Sequence, residues 1–546
     1  MMKNKKFFFI FFLIFIIAAA LRFYKLTDIP PGVNRDEASI GYTAYSILKT
    51  GKDEYGRSFP ISFQSFGDWK LPLYMYATVP FVALFGPSEL SVRLLSALVG
   101  LATVGLTFFL VKQLFQNTTL AFLTMFLLAI SPWHLHLSRV ESESNTAVFL
   151  IVLAVLLFLK SIKGRSWLII LSLSFFALSY FTYAGNYIFT TLLTLGIFLI
   201  CKSAILKTKY FLMGIILFTF LFGFISSQTI FANKTKLSGI SIFSDPAIVH
   251  VKIELPRNEH VNPQSIYARL MHNRVIFALE RFSQNYINAF STEFLFIKGG
   301  ENKAHNISNF GNMYLVEAPF FFLGIVYLLT LKKSREKKLV LFWILIAPIA
   351  ASITKDAPHT NRMLAIFPIL PLVTAMGIYY LLTSLKKPIF KKLAIGVMAI
   401  GFVINILLYF DRYYVHFPRD EAENWGLGYK KLSDILQTER FKNKRVVITK
   451  PESSPYIFLL FYQKYDPQKY QESAVRYPPT EDKFVHVKSF DRFEFRTIDW
   501  GKDSKKENQL LIDMPINIPV FIKNSYSHSE IILPNNEPMF TIVETE

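Results

Sequence analysis

The chain has 546 residues, 52% of them hydrophobic, 55 of them Phe, and a formal net charge of +20. That is too apolar for an ordinary soluble chain of this size, and repeated apolar runs long enough to cross a hydrocarbon core about 30 Å thick predict several membrane helices. Much of the basic excess sits in short loops between apolar runs, where it orients helices; no zinc-finger spacing or aromatic–basic motif points to nucleic acid, and the lone Cys201 excludes an intrachain disulfide or a thiolate metal site.

In chain order, the first apolar run is Phe7 to Leu21, preceded by Lys3, Lys5 and Lys6. Ala18-Ala19-Ala20 resembles a signal-peptide cleavage site. The chain beyond goes on crossing the membrane, which favours an uncleaved anchor. Ten further spans are expected, at 90–112, 118–137, 145–162, 166–183, 186–201, 210–227, 313–331, 338–353, 362–383 and 390–410. With a cytoplasmic N-terminus, every inward connection carries positive charge: Lys112; Lys160, Lys163 and Arg165; Lys202, Lys207 and Lys209; Lys332, Lys333, Arg335, Lys337 and Lys338; Lys386, Lys387, Lys391 and Lys392. This is the bias that charge-directed insertion produces.

Eleven spans place the C-terminus outside, in a multi-pass protein of the plasma or inner membrane. The expected fold is a polytopic α-helical membrane domain over residues 1–410, with outer loops 24–89 and 228–312, followed by a small extracytoplasmic α/β domain over 411–546. In that tail Pro455–Tyr465 reads as a helix, and Arg445–Lys450, Lys483–Arg496, Gln509–Asp513 and Glu530–Leu533 read as strands.

Ionisable groups near lipid are expensive and usually have partners or functions. Four clusters stand at the outer surface. Asn34-Arg35-Asp36-Glu37 follows the first span; adjacent carboxylates there can take a proton from an acceptor, bind a metal or simply be solvated, and Arg35 can hold them ionised. Gly67-Asp68-Trp69-Lys70-Leu71-Pro72-Leu73-Tyr74 precedes the second span; Lys70 is a point charge suited to phosphate, while Trp69 and Tyr74 also fit an interfacial belt. Arg139 and Glu143 follow Ser131-Pro132-Trp133-His134-Leu135-His136; on one helix they are spaced to pair at i, i+4, either as a structural lock or to position a phosphate-binding Arg. His134 and His136 diverge on a helix and suit packing. His359 and Arg362, in Lys355-Asp356-Ala357-Pro358-His359-Thr360-Asn361-Arg362, begin a span and suit a lipid-linked phosphate or a charged cap at the membrane boundary.

With these motifs in order, the chain resembles the membrane glycosyltransferases of the GT-C class. In particular it resembles bacterial relatives of the dolichyl-phosphate-mannose protein mannosyltransferases (glycosyltransferase family 39), and it also looks like the aminoarabinose transferases that modify lipid A. The resemblance covers residues 7–410. It implies a polyprenyl-phosphate sugar donor and an extracytoplasmic acceptor. It also implies an acceptor-activating acid at Asp36 with Glu37 beside it, and a donor phosphate held by Lys70, with Arg139, Arg362 and His359 as further candidates. Asp68, Glu143 and Tyr74 are candidate substrate contacts. No cofactor or metal is required, since many members of the family need none. The chain departs from the pattern at Trp69, between Asp68 and Lys70, at a single proline after Lys70, and at Asn186 where a basic residue is expected. The tail is not the repeat domain of the eukaryotic protein mannosyltransferases, so protein O-mannosylation is not implied.

The expected reaction is direct displacement at the anomeric carbon with Asp36 as base. The alternative is a polyprenyl-lipid flippase or transporter, which predicts polar residues along helix middles and internal repeats. Span interiors here are poor in charge.

Overall fold

In a computed structural model of the chain, residues 2–231, 241–243, 246–449, 453–480 and 484–545 are described. Lys450 and Lys483, at the ends of two expected strands, lie outside them. Helices α1 (Met2–Phe23), α2 (Arg35–Thr50) and α3 (Pro72–Phe85) open the chain, with a short hairpin, β1 (Phe63–Ser65) and β2 (Asp68–Lys70), between the last two. They are followed by α4 (Glu89–Phe115), α5 (Thr118–Ile130), α6 (Pro132–Arg139), α7 (Glu143–Ser161), α8 (Leu168–Ser179), α9 (Asn186–Ile205) and α10 (Phe211–Gln228).

Among the described residues six helices are long and apolar enough to cross a membrane: Lys5–Phe23, Glu89–Phe115, Glu143–Ser161, Asn186–Ile205, Phe211–Gln228 and Pro388–Asp420. Two bent pairs raise the number to eight. Thr118–Ile130 with Pro132–Arg139 bends by 55°, and Thr360–Ile366 with Ile369–Ser384 by 57°. Both breaks hold a proline, Pro132 and Pro368, which removes a donor and disfavours helix just before it. The other three expected spans fall on Leu168–Ser179, Leu315–Thr330 and Arg335–Ile346. Each is shorter than the roughly 20 residues a straight crossing needs.

The chain divides into two compact units. The first comprises residues 1–21, 99–137 and 142–409. It holds most of the apolar helices. Within it Ala318–Thr330 packs on Ile369–Ser384 through Gly324 and Gly377, where an added Cβ would overlap the carbonyl oxygens of Val373 and Phe320. Small residues of this kind let helix backbones approach where lipid offers no hydrophobic drive.

The second unit comprises residues 22–98, 138–141 and 410–546. The sequence divides most simply at 410/411, but the tail shares this unit with the first long loop. Its seven-stranded sheet has the order β4-β5-β6-β3-β7-β9-β8, from β3 (Arg445–Ile448), β4 (Val475–Arg476), β5 (Val487–Phe490), β6 (Phe493–Phe495), β7 (Gln509–Asp513), β8 (Ser527–Ile532) and β9 (Pro538–Thr545). Strand β3 runs parallel to β6 and β7, and the remaining pairs are antiparallel.

Period-two alternation splits the central strands between two cores. Val447, Leu511 and Val543 face a small cluster with Ile498, Ile518 and Ile522. Val446, Ile448, Leu510, Ile512 and Ile542 face a large one with the helices Leu427–Leu436 and Pro455–Tyr462. The same large core takes in Ala38, Ile40, Tyr42 and Ile47 of α2, Phe63 and Phe66 of the hairpin, and Met75 of α3. Gly41 lets α2 approach closely: a Cβ there would run into the Phe461 ring.

Candidate functional site

Asp36 and Glu37 are neighbours in sequence and opposites in environment. Asn34 caps α2, its side chain accepting from the Glu37 N–H at 2.9 Å, so both carboxylates lie in the first turn, the favourable end of the helix dipole. Asp36 is 45% exposed and Glu37 fully buried. Successive helix residues diverge by about 100°, so one reaches the open face as the other enters the core.

Lys70, at the end of β2, donates to Asp36 Oδ1 at 2.9 Å and to the Asp36 carbonyl at 3.4 Å, and is itself only 7% exposed. A nearly buried ammonium next to a half-exposed carboxylate places opposite charges side by side. Arg35 lays its guanidinium over the rings of Phe66 and Phe484, 4.7 and 5.8 Å from their centroids.

Glu37 is clamped. Arg93 Nε and Nη2 donate to its two oxygens at 3.0 and 2.9 Å, and the Glu141 N–H donates to Oε1 at 2.9 Å. The same guanidinium donates to the carbonyls of Leu26 and Pro30 at 3.0 Å and to that of Gly32. Gly32 has φ +94, and a Cβ there would meet the Trp425 carbonyl oxygen. Arg93 was not singled out in the sequence. The available signal was an ionisable residue inside an apolar run, which lipid tolerates only with partners.

Arg139 is fully buried. It donates to the carbonyls of Arg22, Lys25 and Ile29 at 3.1, 3.2 and 3.2 Å and to the Tyr413 hydroxyl at 3.1 Å. Its fork thus gathers backbone oxygens after the first helix instead of facing an opening. The i, i+4 pair with Glu143 does not form on one helix, because α6 ends at Arg139 and α7 starts at Glu143, with Ser142 capping it. Tyr74 is also buried; its hydroxyl donates to the Val92 carbonyl at 2.8 Å and shares a hydrogen bond with Ser96. Asp68 Oδ1 accepts from the Trp69 N–H at 2.9 Å on the hairpin.

In the other unit, His359 caps the turn Thr360–Met363 and lies 3.6 Å from Asp356, while Arg362 pairs with Asp356 and donates to Thr354 Oγ1 at 2.7 Å. His359 also packs on His305, ring centroids 5.1 Å apart. Glu143 is half-buried in the first turn of α7. His134 packs on Phe367 and His136 hydrogen-bonds the Ala304 carbonyl, as packing residues do.

A further acidic group went unnoticed in the sequence. Glu54, in the loop after α2, is buried among Tyr456, Tyr470 and Arg476 of the tail, with the Tyr456 hydroxyl 3.5 Å from Oε1 and Arg476 donating to the Glu54 carbonyl at 3.0 Å. Burial pushes its carboxyl up to about 7 against the opposing charge of Arg476, and burial likewise raises neighbouring Asp53.

The fold is that of a polytopic membrane protein and resembles the GT-C glycosyltransferase type. Residues 70–226 match the family described as dolichyl-phosphate-mannose-protein mannosyltransferase, a segment that begins at Lys70 and contains Arg93, Arg139 and Glu143. Among solved structures the chain is similar to ArnT from Cupriavidus metallidurans in the apo state, with 12% identity, a TM-score of 0.53 and 97% of each chain covered. It is similar also to ArnT from the same organism bound to undecaprenyl phosphate, with 11% identity, a TM-score of 0.54, and 99% of this chain and 97% of that one covered. No curated protein sequence matches the chain.

Proposed function

We propose that the protein is a glycosyltransferase that moves a sugar from a polyprenyl-phosphate donor to a hydroxyl of an extracytoplasmic acceptor, at the outer face of the cell membrane. The observation that carries this is the Asp36–Lys70 pair: a half-exposed carboxylate 2.9 Å from a nearly buried ammonium, in the first turn of a helix pinned by the Glu37–Arg93 clamp. The fold shared with ArnT, one structure of which holds undecaprenyl phosphate, supports the donor class.

In this mechanism Asp36 takes the proton of the acceptor hydroxyl as that oxygen bonds to the anomeric carbon. The bond from that carbon to the phosphate oxygen breaks, and the polyprenyl phosphate leaves with the electron pair. Lys70 turns from Asp36 toward the leaving phosphate and stabilises its charge. Glu37 and Arg93 position the loop without touching the reacting atoms. Arg362 and His359, held by Asp356, are second candidates for the phosphate; Arg139 is committed to backbone carbonyls. Eleven crossings, with the N-terminus cytoplasmic and the tail outside, complete the reading.

The test is transfer of radiolabelled sugar from a panel of polyprenyl-phosphate sugars by purified wild type and Asp36→Asn in detergent. Release of prenyl phosphate by wild type and its loss in a folded Asp36→Asn protein is the expected result. A wild type that releases nothing from any donor, yet moves intact lipid between vesicle leaflets, overturns it in favour of a flippase.

A further inference from the structure

Helices α7, α8, α9 and α10, all in the first unit, line a half-open cavity of about 420 Å³. Its walls are Phe158 of α7, Ile169 and Phe176 of α8, Ile205 of α9, and Phe211 and Ile215 of α10, among others. The one polar lining residue, Thr194, turns its hydroxyl back to the carbonyls of Thr190 and Thr191 at 2.8 and 3.0 Å. The interior therefore offers nothing to a polar ligand and suits a hydrocarbon chain. From Ile169 to Phe176, and from Phe211 to Phe218, the lining runs two turns along each helix, roughly 10 Å at the helical rise.

The cavity starts at one particular end of the four helices. Ile169 and Phe211 open α8 and α10, and Ile205 closes α9. The two connections at that end, residues 160–168 and 202–210, carry Lys160, Lys163, Arg165, Lys202, Lys207 and Lys209 and not one carboxylate. All but Lys160 are exposed. Lys163 donates to the Gln113 carbonyl, and Lys209 sits over the Tyr210 ring. Trp167, 54% exposed, stands in the first connection, as aromatic residues do at headgroup depth. Insertion bias explains the sign of these charges but not the cavity beside them. A basic rim around an apolar, interhelical cavity matches a ligand with an anionic head and an apolar tail.

We infer that this end of α7–α10 is a binding site for an anionic phospholipid, one acyl chain in the cavity and the headgroup phosphate among the lysines of the two connections. Its lining shares no residue with the proposed donor site, and the inference does not depend on the transferase reading.

The test uses the full chain in neutral detergent, titrated with phosphatidylglycerol or phosphatidylcholine, with bound lipid counted by native mass spectrometry. Wild type is expected to retain one phosphatidylglycerol and to discriminate against phosphatidylcholine. Neutralising Lys202, Lys207 and Lys209 together to Gln should weaken retention on the order of tenfold or more. Ile215→Trp, which fills the cavity, should abolish it; if that variant does not fold, the surface triple variant decides alone. Equal retention of both lipids, or an undiminished signal in the triple variant, overturns the inference. Displacement of phosphatidylglycerol by an equimolar prenyl phosphate would overturn it too, by making the cavity a donor-tail site.

Discussion

Arg93 meets both carboxylate oxygens of Glu37 at 2.9–3.0 Å in a pair that is wholly shut off from solvent, and it gathers three loop carbonyls with the donors that remain. Removing one partner leaves the other charged and buried, which costs about 3–5 kcal/mol. Glu37→Gln and Arg93→Met are therefore expected to lower the unfolding temperature of the purified protein markedly, and Asp36→Asn to lower it less, because its carboxylate is 45% exposed although the Lys70 it leaves behind is only 7% exposed. Thermal unfolding in detergent reads both. A Glu37→Gln protein as stable as wild type would mean that the clamp does not hold the loop.

Activity should separate the same two residues in the opposite way. Loss of a general base lowers turnover on the order of 10²–10⁴-fold, so Asp36→Asn is expected to lose kcat with its fold intact. Lys70→Met should lose both kcat and donor affinity, and Lys70→Arg should recover affinity in part, since a guanidinium keeps the charge but not the compact ammonium. Steady-state kinetics against donor concentration distinguish the two roles.

In the proposed mechanism Lys70 supplies the cation that the leaving phosphate needs. Turnover is accordingly expected to survive exhaustive treatment with EDTA. A rate that falls with the chelator and returns with Mg²⁺ or Mn²⁺ would assign the carboxylates at this site to a metal instead.

Glu54 gives the second unit a pH dependence. Its carboxyl is raised by burial to about 7 in the fold from the ordinary 4.5. The folded state therefore binds more protons than the unfolded one between those values, and stability falls as pH rises through that window. The shift corresponds to roughly 3 kcal/mol. Tyr42, Tyr456, Tyr470, Arg476, Asp53 and Lys70 face or influence this carboxyl. Glu54→Gln should flatten the dependence of the unfolding temperature on pH between 5 and 8. An unchanged slope would assign it to another group.

Truncation at residue 410 should not yield a working membrane domain. It removes Phe458, Phe461, Val446 and their neighbours from the core that buries Ala38, Ile40, Tyr42 and Phe63. At about 1.5–3 kcal/mol for each large side chain left in water, α2 loses the packing that carries Asp36. The expected product is aggregated or inactive, as gel filtration and transfer assay would show.

Asp36 and Lys70 stand out in the sequence because each is a charge close to an apolar run, but their pairing through space was not legible there. The α/β character of the tail was legible from Arg445–Ile448, Gln509–Asp513 and Pro455–Tyr462, whose patterns are local. What periodicity does not carry is pairing through space. Glu37 and Arg93 are 56 residues apart, so Glu37 looked like a second reactive carboxylate. Arg139 looked free to bind phosphate because its partners are backbone carbonyls, which have no signature in sequence. The bends at Pro132 and Pro368 turned two expected straight spans into broken ones. The tail read as a separate domain because nothing in its own pattern reveals that about a third of its core comes from residues 33–92.

That shared core sets an order of assembly. A chain made from its N-terminus exposes Ile40, Tyr42, Phe63 and Phe66 about 360 residues or more before the tail that covers them is synthesised. At cellular elongation rates the wait is tens of seconds. Throughout it α2, which bears Asp36, lacks the tail residues it packs against, so its packing is completed only when the last strands join the sheet. A nascent or stalled chain would thus carry its apolar helices and still lack the proposed Asp36–Lys70 site in finished form, and biogenesis itself would act as the on-switch.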